Sequence, residues 1–455
     1  MTFTIRPSTT AIATGLLNSY RRNPKMALLT VKTGGGKTYG AIHTFGQLFS
    51  NSTLLVFTTA KVALSKQWET SVKDYNQVMG TNLKIICYNY DKLIHQRFLN
   101  QLSEKLQLVS NDRICLILDE VHRIKLAGDG KLSKRSHLIM QLAQQPYITT
   151  TLGLSATAFS NSYLDVAPYL VIAGYYHSKT QFMKEHIKRF NDYWQPIVTD
   201  WTGNVSRSAF KDPDKIDREI KSISVYIDTS NYLPILTKKH HVFNLANNEA
   251  SQYNEIMQDY CRGDTYEFPI QARMAQEHKL ATDLAWHKDL YLLSILKRRE
   301  QNKFGVQAPV LIFYQYTTVY EHLKNLLHVE YPSYNIIGVN GFANLTSDEL
   351  SKPKSNNSIY LVQYEAGGEG LDWQWSNISI FYEAPVRYEK FVQAKGRNLR
   401  NKSQMSHVYH FELEYANTLD GERWETNRGK RDFTDDVSAR TFNAKVAQFE
   451  NIHDA

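Results

Sequence analysis

The chain has 455 residues, more than one hydrophobic core ordinarily supports, so at least two domains are expected. Apolar residues make up 42% and charged residues 22%, which excludes a disordered or fibrous chain, and no uninterrupted apolar run reaches membrane-spanning length. The net charge of +8 suits a polyanionic partner, while three widely spaced cysteines, Cys87, Cys115 and Cys261, argue against a disulfide framework or zinc cluster and for a reducing, cytoplasmic setting without a signal peptide.

Met26 to Val31 reads as a buried strand that feeds Thr33-Gly34-Gly35-Gly36-Lys37-Thr38. Successive glycines let backbone N–H groups turn toward one point without Cβ interference, so this run has the chemistry of a phosphate cradle. Lys37 adds a charge and Thr38 a hydroxyl for magnesium. The full signature places a glycine where this chain has Val31, so the match is to a relaxed form. A helix over Thr38 to Leu48 is predicted to aim its N-terminus at the phosphates.

Further apolar runs at Leu54–Thr58, Lys84–Cys87, Ile114–Leu118 and Thr149–Leu154 alternate with helical stretches, the pattern of a parallel, doubly wound sheet. The fourth strand ends in Asp119-Glu120-Val121-His122. Open α/β sheets place ligands at the carboxyl ends of strands, so Asp119 is expected to hold magnesium and Glu120 to orient and deprotonate an attacking water. Residues 1–171 are therefore expected to form a first domain, 172–235 a mostly helical insertion, 236–414 a second α/β domain with one early extended piece near Lys239–Leu245, and 415–455 a charged tail.

Strand-helix alternation resumes at Val310–Tyr314, Asn335–Val339, Ser358–Gln363, Ile378–Tyr382 and His407–Phe411. After the third of these comes Ala366-Gly367-Gly368-Glu369-Gly370-Leu371-Asp372, and later Gln393-Ala394-Lys395-Gly396-Arg397-Asn398-Leu399-Arg400. Arg397 and Arg400 are predicted to lie one turn apart on a helix. Such a pair alone makes a solvated helix face. Combined with the phosphate loop, one guanidinium becomes a candidate to neutralise charge on a γ-phosphate.

These phrases, together with Leu154-Ser155-Ala156-Thr157-Ala158 and Val310-Leu311-Ile312-Phe313-Tyr314-Gln315-Tyr316-Thr317, resemble superfamily two helicases and translocases, and more narrowly their Swi/Snf-like branch, over most of positions 5 to 412. The resemblance implies two RecA-like domains in tandem that use ATP and Mg2+. It implies phosphate binding by Thr33 through Thr38 with Gly368 and Gly370, and catalysis by Lys37, Asp119, Glu120, Gln393, Arg397 and Arg400. His122, Ser155 and Thr157 would couple the acidic motif to the rest of the domain.

DNA, single- or double-stranded, is the implied partner, held through its backbone and without sequence specificity. Thr58, Thr59 and Lys61, at a strand end opening a helix, with Tyr90, Gln315, Tyr316 and Gly367, are the candidate contacts. Two departures from the family stand out: no glutamine follows Arg6-Pro7, and Asp372 replaces the branch's usual asparagine. Between the domains, Lys179, Lys184, Lys188 and Arg189 mingle with Phe182, Phe190, Trp194 and Trp201, a mixture that tracks a phosphate backbone and stacks bases, or equally builds an amphipathic insertion around an aromatic core. The expected activity is a DNA helicase or translocase of replication, recombination or repair, similar to compact members in viral replication gene sets. An RNA helicase and an ATP-switched adaptor or loader for a replication protein are the alternatives.

Overall fold

The computed structural model describes residues 5–31, 34–109, 112–124, 130–156, 163–198, 207–228, 233–261, 276–277, 279–280, 283–341, 349–350, 352–367, 373–400, 403 and 405–429. They divide into two compact units, Met1–Asn231 and Tyr232–Gly429.

The first unit is built on six parallel strands: β1 (Met26–Val31), β2 (Ser52–Thr58), β3 (Lys84–Asn89), β4 (Arg113–Asp119), β5 (Ile148–Ser155) and β6 (Ser224–Ile227), in the order β3-β2-β4-β5-β1-β6. Continuous apolar runs make the central strands because both of their faces are covered. Side chains on β1 alternate accordingly: Met26 and Leu28 pack in one core, Ala27, Leu29 and Val31 in the other. The same holds for β4, with Leu116 and Leu118 on one face and Cys115 and Ile117 on the other. Register sets the ends level, since Thr30 pairs with Ser155 and Asp119 with Leu154. The phosphate loop, the acidic run and Ser155 thus leave the sheet on one edge.

The second unit carries β7 (Ile235–Phe243), β8 (Val310–Tyr314), β9 (Asn335–Val339), β10 (Ser358–Gln363), β11 (Ile378–Phe381) and β12 (His407–Tyr415), in the order β7-β12-β11-β8-β10-β9. Every pair is again parallel. Both units are thus α/β with all-parallel sheets, as the resemblance implies for RecA-like domains. Among the described residues, no helix is long and apolar enough to cross a membrane.

Two expected boundaries move. The segment 172–235 is not a separate insertion, because the first unit runs to Asn231 and β6 pairs with β1 from Leu28↔Ser224 to Val31↔Ile227. The helix Pro213–Ile223 packs Ile216, Ile220 and Ile223 on one buried face and is capped by Asp212, whose side chain accepts from Lys215 N. A four-residue strand without a long apolar run leaves little local signal; the open edge of β1 decides it. The tail also begins later than residue 415. A helix over 419–429 buries Trp424, whose Nε1 donates to Leu413 O at 3.0 Å. The extended piece near Lys239–Leu245 is the edge strand β7, whose exposed Lys238, Lys239 and His240 mask its pattern.

Candidate active site

The loop after β1 turns on Gly34 and Gly36, whose φ angles of 83° and 92° lie in the left-handed region that L side chains avoid. A Cβ at Gly36 would meet nothing nearer than Ser8 Oγ at 3.9 Å, so the backbone angle rather than space demands glycine there. Gly36 is also the N-cap of the helix Lys37–Leu48, and no side chain caps it. A glycine N-cap supplies no side-chain acceptor to the first-turn N–H groups, which stand at the positive end of the helix dipole. Lys37 and Thr38, both half-buried, stand at that end.

The carboxylates arrive from β4. Lys37 Nζ lies 3.8 Å from Glu120 Oε1, and His122 Nδ1 lies 3.3 Å from Glu120 Oε2 and 3.1 Å from Ser155 Oγ. Strand β5 sits between β4 and β1, which is why Ser155 is within reach of the acidic run. Glu120 itself adopts φ 52° and ψ 54°. Such a conformation costs a non-glycine residue about 1–2 kcal/mol and turns its side chain out of the strand direction.

Asp119 is held from three sides. Thr58 Oγ1 donates to its Oδ2 at 2.8 Å and Trp68 Nε1 to the same oxygen at 3.4 Å, while Tyr90 OH donates to its backbone O at 2.9 Å. Burial, and then the Glu120 charge, push the Asp119 carboxyl up to about 6, against the pull of Lys37, Thr58 and Trp68. A buried, crowded carboxylate gains most from a cation. The glycine-capped helix start, the left-handed glycines, the Thr38 hydroxyl and this oxygen donor fit a nucleoside triphosphate with Mg2+.

In the second unit the strand ends converge on another half-buried carboxylate. Glu383, two residues past the end of β11, accepts from Gln315 N at 2.8 Å and Tyr316 N at 3.3 Å. Lys288 Nζ donates to Tyr382 O at 2.8 Å and to Asp420 Oδ2 at 2.7 Å, and Asp420 in turn accepts from Tyr415 N and Ala384 N. Burial pushes the Glu383 carboxyl up to about 7, with the Gln315 amide and Lys288 pulling it back.

The expected arginine helix is shorter than predicted. It ends at Lys395 with Gly396 as C-cap, so Arg397 and Arg400 follow it rather than sharing its face. A glycine at that point gives the chain an easy exit from the helix. Arg397 is only 3% exposed, Gln393 is buried in the last turn, and Arg400 is half-buried.

Of the nucleic-acid candidates, the side chains of Thr58, Thr59 and Tyr90 are buried, and Thr58 and Tyr90 are bonded to Asp119. Lys61 is exposed; Gln315 and Tyr316 are half-buried, with the guanidinium of Arg423 5.2 Å from the Tyr316 ring. Gly367 ends the short helix Tyr364–Gly367. Thr33, Thr157, Gly368, Gly370 and Asp372 lie outside the described residues. Sequence patterning does not single out Glu383 or Asp420, since Glu383 stands two residues past the short strand β11 whereas Asp119 ends β4 itself.

Residues 2–160 match the family described as Type III restriction enzyme, res subunit. That res-subunit-like region contains the phosphate loop, the acidic run and Ser155. A solved structure, the SWI2/SNF2 ATPase core of Sulfolobus solfataricus in complex with dsDNA, is 14% identical, with 99% of this chain and 96% of that chain covered at a TM-score of 0.39.

Proposed function

We propose that the chain is a nucleic-acid-stimulated ATPase that moves on DNA as a helicase or translocase, in replication, recombination or repair. The observation that carries the reading is the meeting of Lys37 with Glu120 at 3.8 Å, with His122 and Ser155 behind the same carboxylate. A lysine on a helix start and a strand-end glutamate have no packing reason to share a half-buried site. They share one where a phosphate and a water must be held together. The match of residues 2–160 to a restriction-enzyme subunit and the Swi/Snf-like phrases favour DNA over RNA.

In this mechanism the loop amides and Lys37 bind the phosphates. Thr38 and Asp119 would hold Mg2+, which would supply screening of phosphate charge. Glu120, oriented by His122, takes the proton of the attacking water at its carboxylate. Arg400, from the second unit, offsets charge on the γ-phosphate, and Arg397 and Gln393 support the segment that carries it. Lys61, Gln315, Tyr316 and Gly367 contact the polynucleotide backbone.

The deciding experiment is steady-state ATP hydrolysis without polynucleotide and with single-stranded DNA, duplex DNA or RNA, using Glu120→Gln as the blank. The expected result is strong stimulation by DNA, with the Glu120→Gln protein binding ATP but turning over at least about 100-fold more slowly. Stimulation by RNA alone would replace the DNA reading with an RNA helicase. No stimulation by any polynucleotide would overturn it in favour of an ATP-switched loader acting on a protein.

A further inference from the structure

In the first unit, residues 187–197 form a tight hairpin turn whose tip carries two aromatic rings in open solvent. Tyr193 is 85% and Trp194 73% exposed. Isolated exposed side chains need no explanation. Here the presentation is built. Asn191 Oδ1 accepts from Tyr193 N at 3.0 Å and Gln195 N at 2.9 Å, and its Nδ2 donates to Gln195 Oε1 at 2.8 Å. Asn191 N donates to Gln195 O, and Trp194 N to Asn191 O. Trp194 is held at a φ of 58°, a left-handed conformation that a bulky residue rarely adopts. Its ring rests against Phe190, centroids 5.6 Å apart.

The base of the turn is anchored. Ile187, Val198 and Phe210 belong to the hydrophobic core under the first sheet, with Phe182 fully buried beside them. Ile187 bridges Phe210, and Lys188 N donates to Ala209 O at 3.1 Å. Of the aromatics in this segment, Phe182 is core and Trp194 faces solvent, joined there by Tyr193, while Trp201 lies outside the described residues.

We propose that Tyr193 and Trp194 are a stacking platform for unpaired nucleobases of a single-stranded polynucleotide. The inference rests on the nucleic-acid reading above and names what that partner meets on this face. On the same turn Lys188 and Arg189 are exposed, and at its base Lys211 Nζ donates to Lys184 O at 2.9 Å beside the exposed Asp212. Of the nearby carboxylates, Asp192 is exposed and Glu185 is engaged by Lys215 and Gln181. Cations flanking aromatic rings follow a phosphate backbone while its bases stack. A protein-docking patch would add exposed aliphatic side chains around the rings. Among the described residues 184–198, Tyr193 and Trp194 are the only large exposed hydrophobics. Their neighbours at the tip are Asn191, Asp192 and Gln195.

The test uses the full chain in fluorescence anisotropy with three labelled probes of equal length: a single-stranded oligonucleotide, its abasic sugar-phosphate counterpart and a duplex. The Tyr193→Ala/Trp194→Ala protein should bind the base-bearing single strand about tenfold more weakly, with the abasic probe unaffected and the salt slope unchanged. Tyr193→Phe/Trp194→Phe should restore binding. Asn191→Ala, which keeps the rings but removes the bonds that order the turn, should give an intermediate loss. Thermal melting should match wild type, since both rings are exposed.

Equal loss on the abasic probe, or no loss on any probe, would overturn the platform while leaving the nucleic-acid reading intact. Wild-type protein that binds none of the three probes would overturn both. Loss of a protein partner on substitution, with base binding unchanged, would reassign the tip to protein docking.

Discussion

Asp119 illustrates how one side chain joins two motifs. Its Oδ2 takes bonds from Thr58, at the end of β2, and from Trp68, on the helix Gln67–Met79. The residues next to Thr58 open the helix Ala60–Leu64, on which Lys61 is exposed. A shift of that helix against a polynucleotide would therefore be felt at the carboxylate. Thr58→Val removes the shorter of the two side-chain bonds while nearly conserving shape. A hydrogen bond to a charged group is worth about 1.5–3 kcal/mol, so kcat is expected to fall by at least about tenfold with nucleotide affinity little changed. Turnover and fluorescent-nucleotide titration check this, and an unchanged kcat would remove Thr58 from the coupling. Nothing about Thr58 in isolation announces such a role. A threonine at a strand end is an ordinary turn residue, and its partner lies 61 positions away.

Helix bounds follow the local sequence where periodicity is strong and depart from it where a single residue ends the helix. Lys37–Leu48 starts within one residue of the expected place because glycines fix the entry. The helix Tyr388–Lys395 stops early at Gly396, so the two arginines lose their shared face. Lys297-Arg298-Arg299 closes the helix Trp286–Glu300, where the helix dipole favours cations. Yet Arg299 is 1% exposed and donates to Ala308 O, Tyr334 OH and Asn356 O, fastening the helix to the second sheet. Close packing also constrains Gly40, where the helices Pro7–Arg22 and Lys37–Leu48 meet. A Cβ there would fall 2.4 Å from Ile12 Cγ2 and 2.8 Å from Ile12 Cβ. Gly40→Ala gains about 1 kcal/mol of helix propensity but overpacks a filled contact at a cost of about 1–3 kcal/mol. The net is expected to be destabilising by up to about 2 kcal/mol, read as a lowered melting temperature of the first transition. A raised melting temperature would show that Ile12 yields freely.

The chain holds its proposed chemistry in two units, with the phosphate loop and the carboxylates in the first and the arginines in the second. An arginine supplied from a separate unit acts on rate more than on binding. Arg400→Ala should accordingly lower polynucleotide-stimulated kcat by about 10³-fold while nucleotide affinity stays within about threefold. Stopped-flow nucleotide binding beside steady-state turnover separates the two, and a rate equal to wild type would move the role away from Arg400. Local sequence was enough for the phosphate loop, the acidic run and the two parallel sheets. Each rests on short-range physics: glycine sterics, a strand apolar on both faces, and charged residues at its end. Tertiary structure alone brought Thr58, Trp68 and Tyr90 onto Asp119, joined Lys288 to Asp420 across 132 positions, added β6 to the first sheet and left Tyr193 and Trp194 outside the core. Those outcomes depend on which strands lie side by side and which surface remains uncovered, and strand order is a property of long-range pairing rather than of any local window of residues.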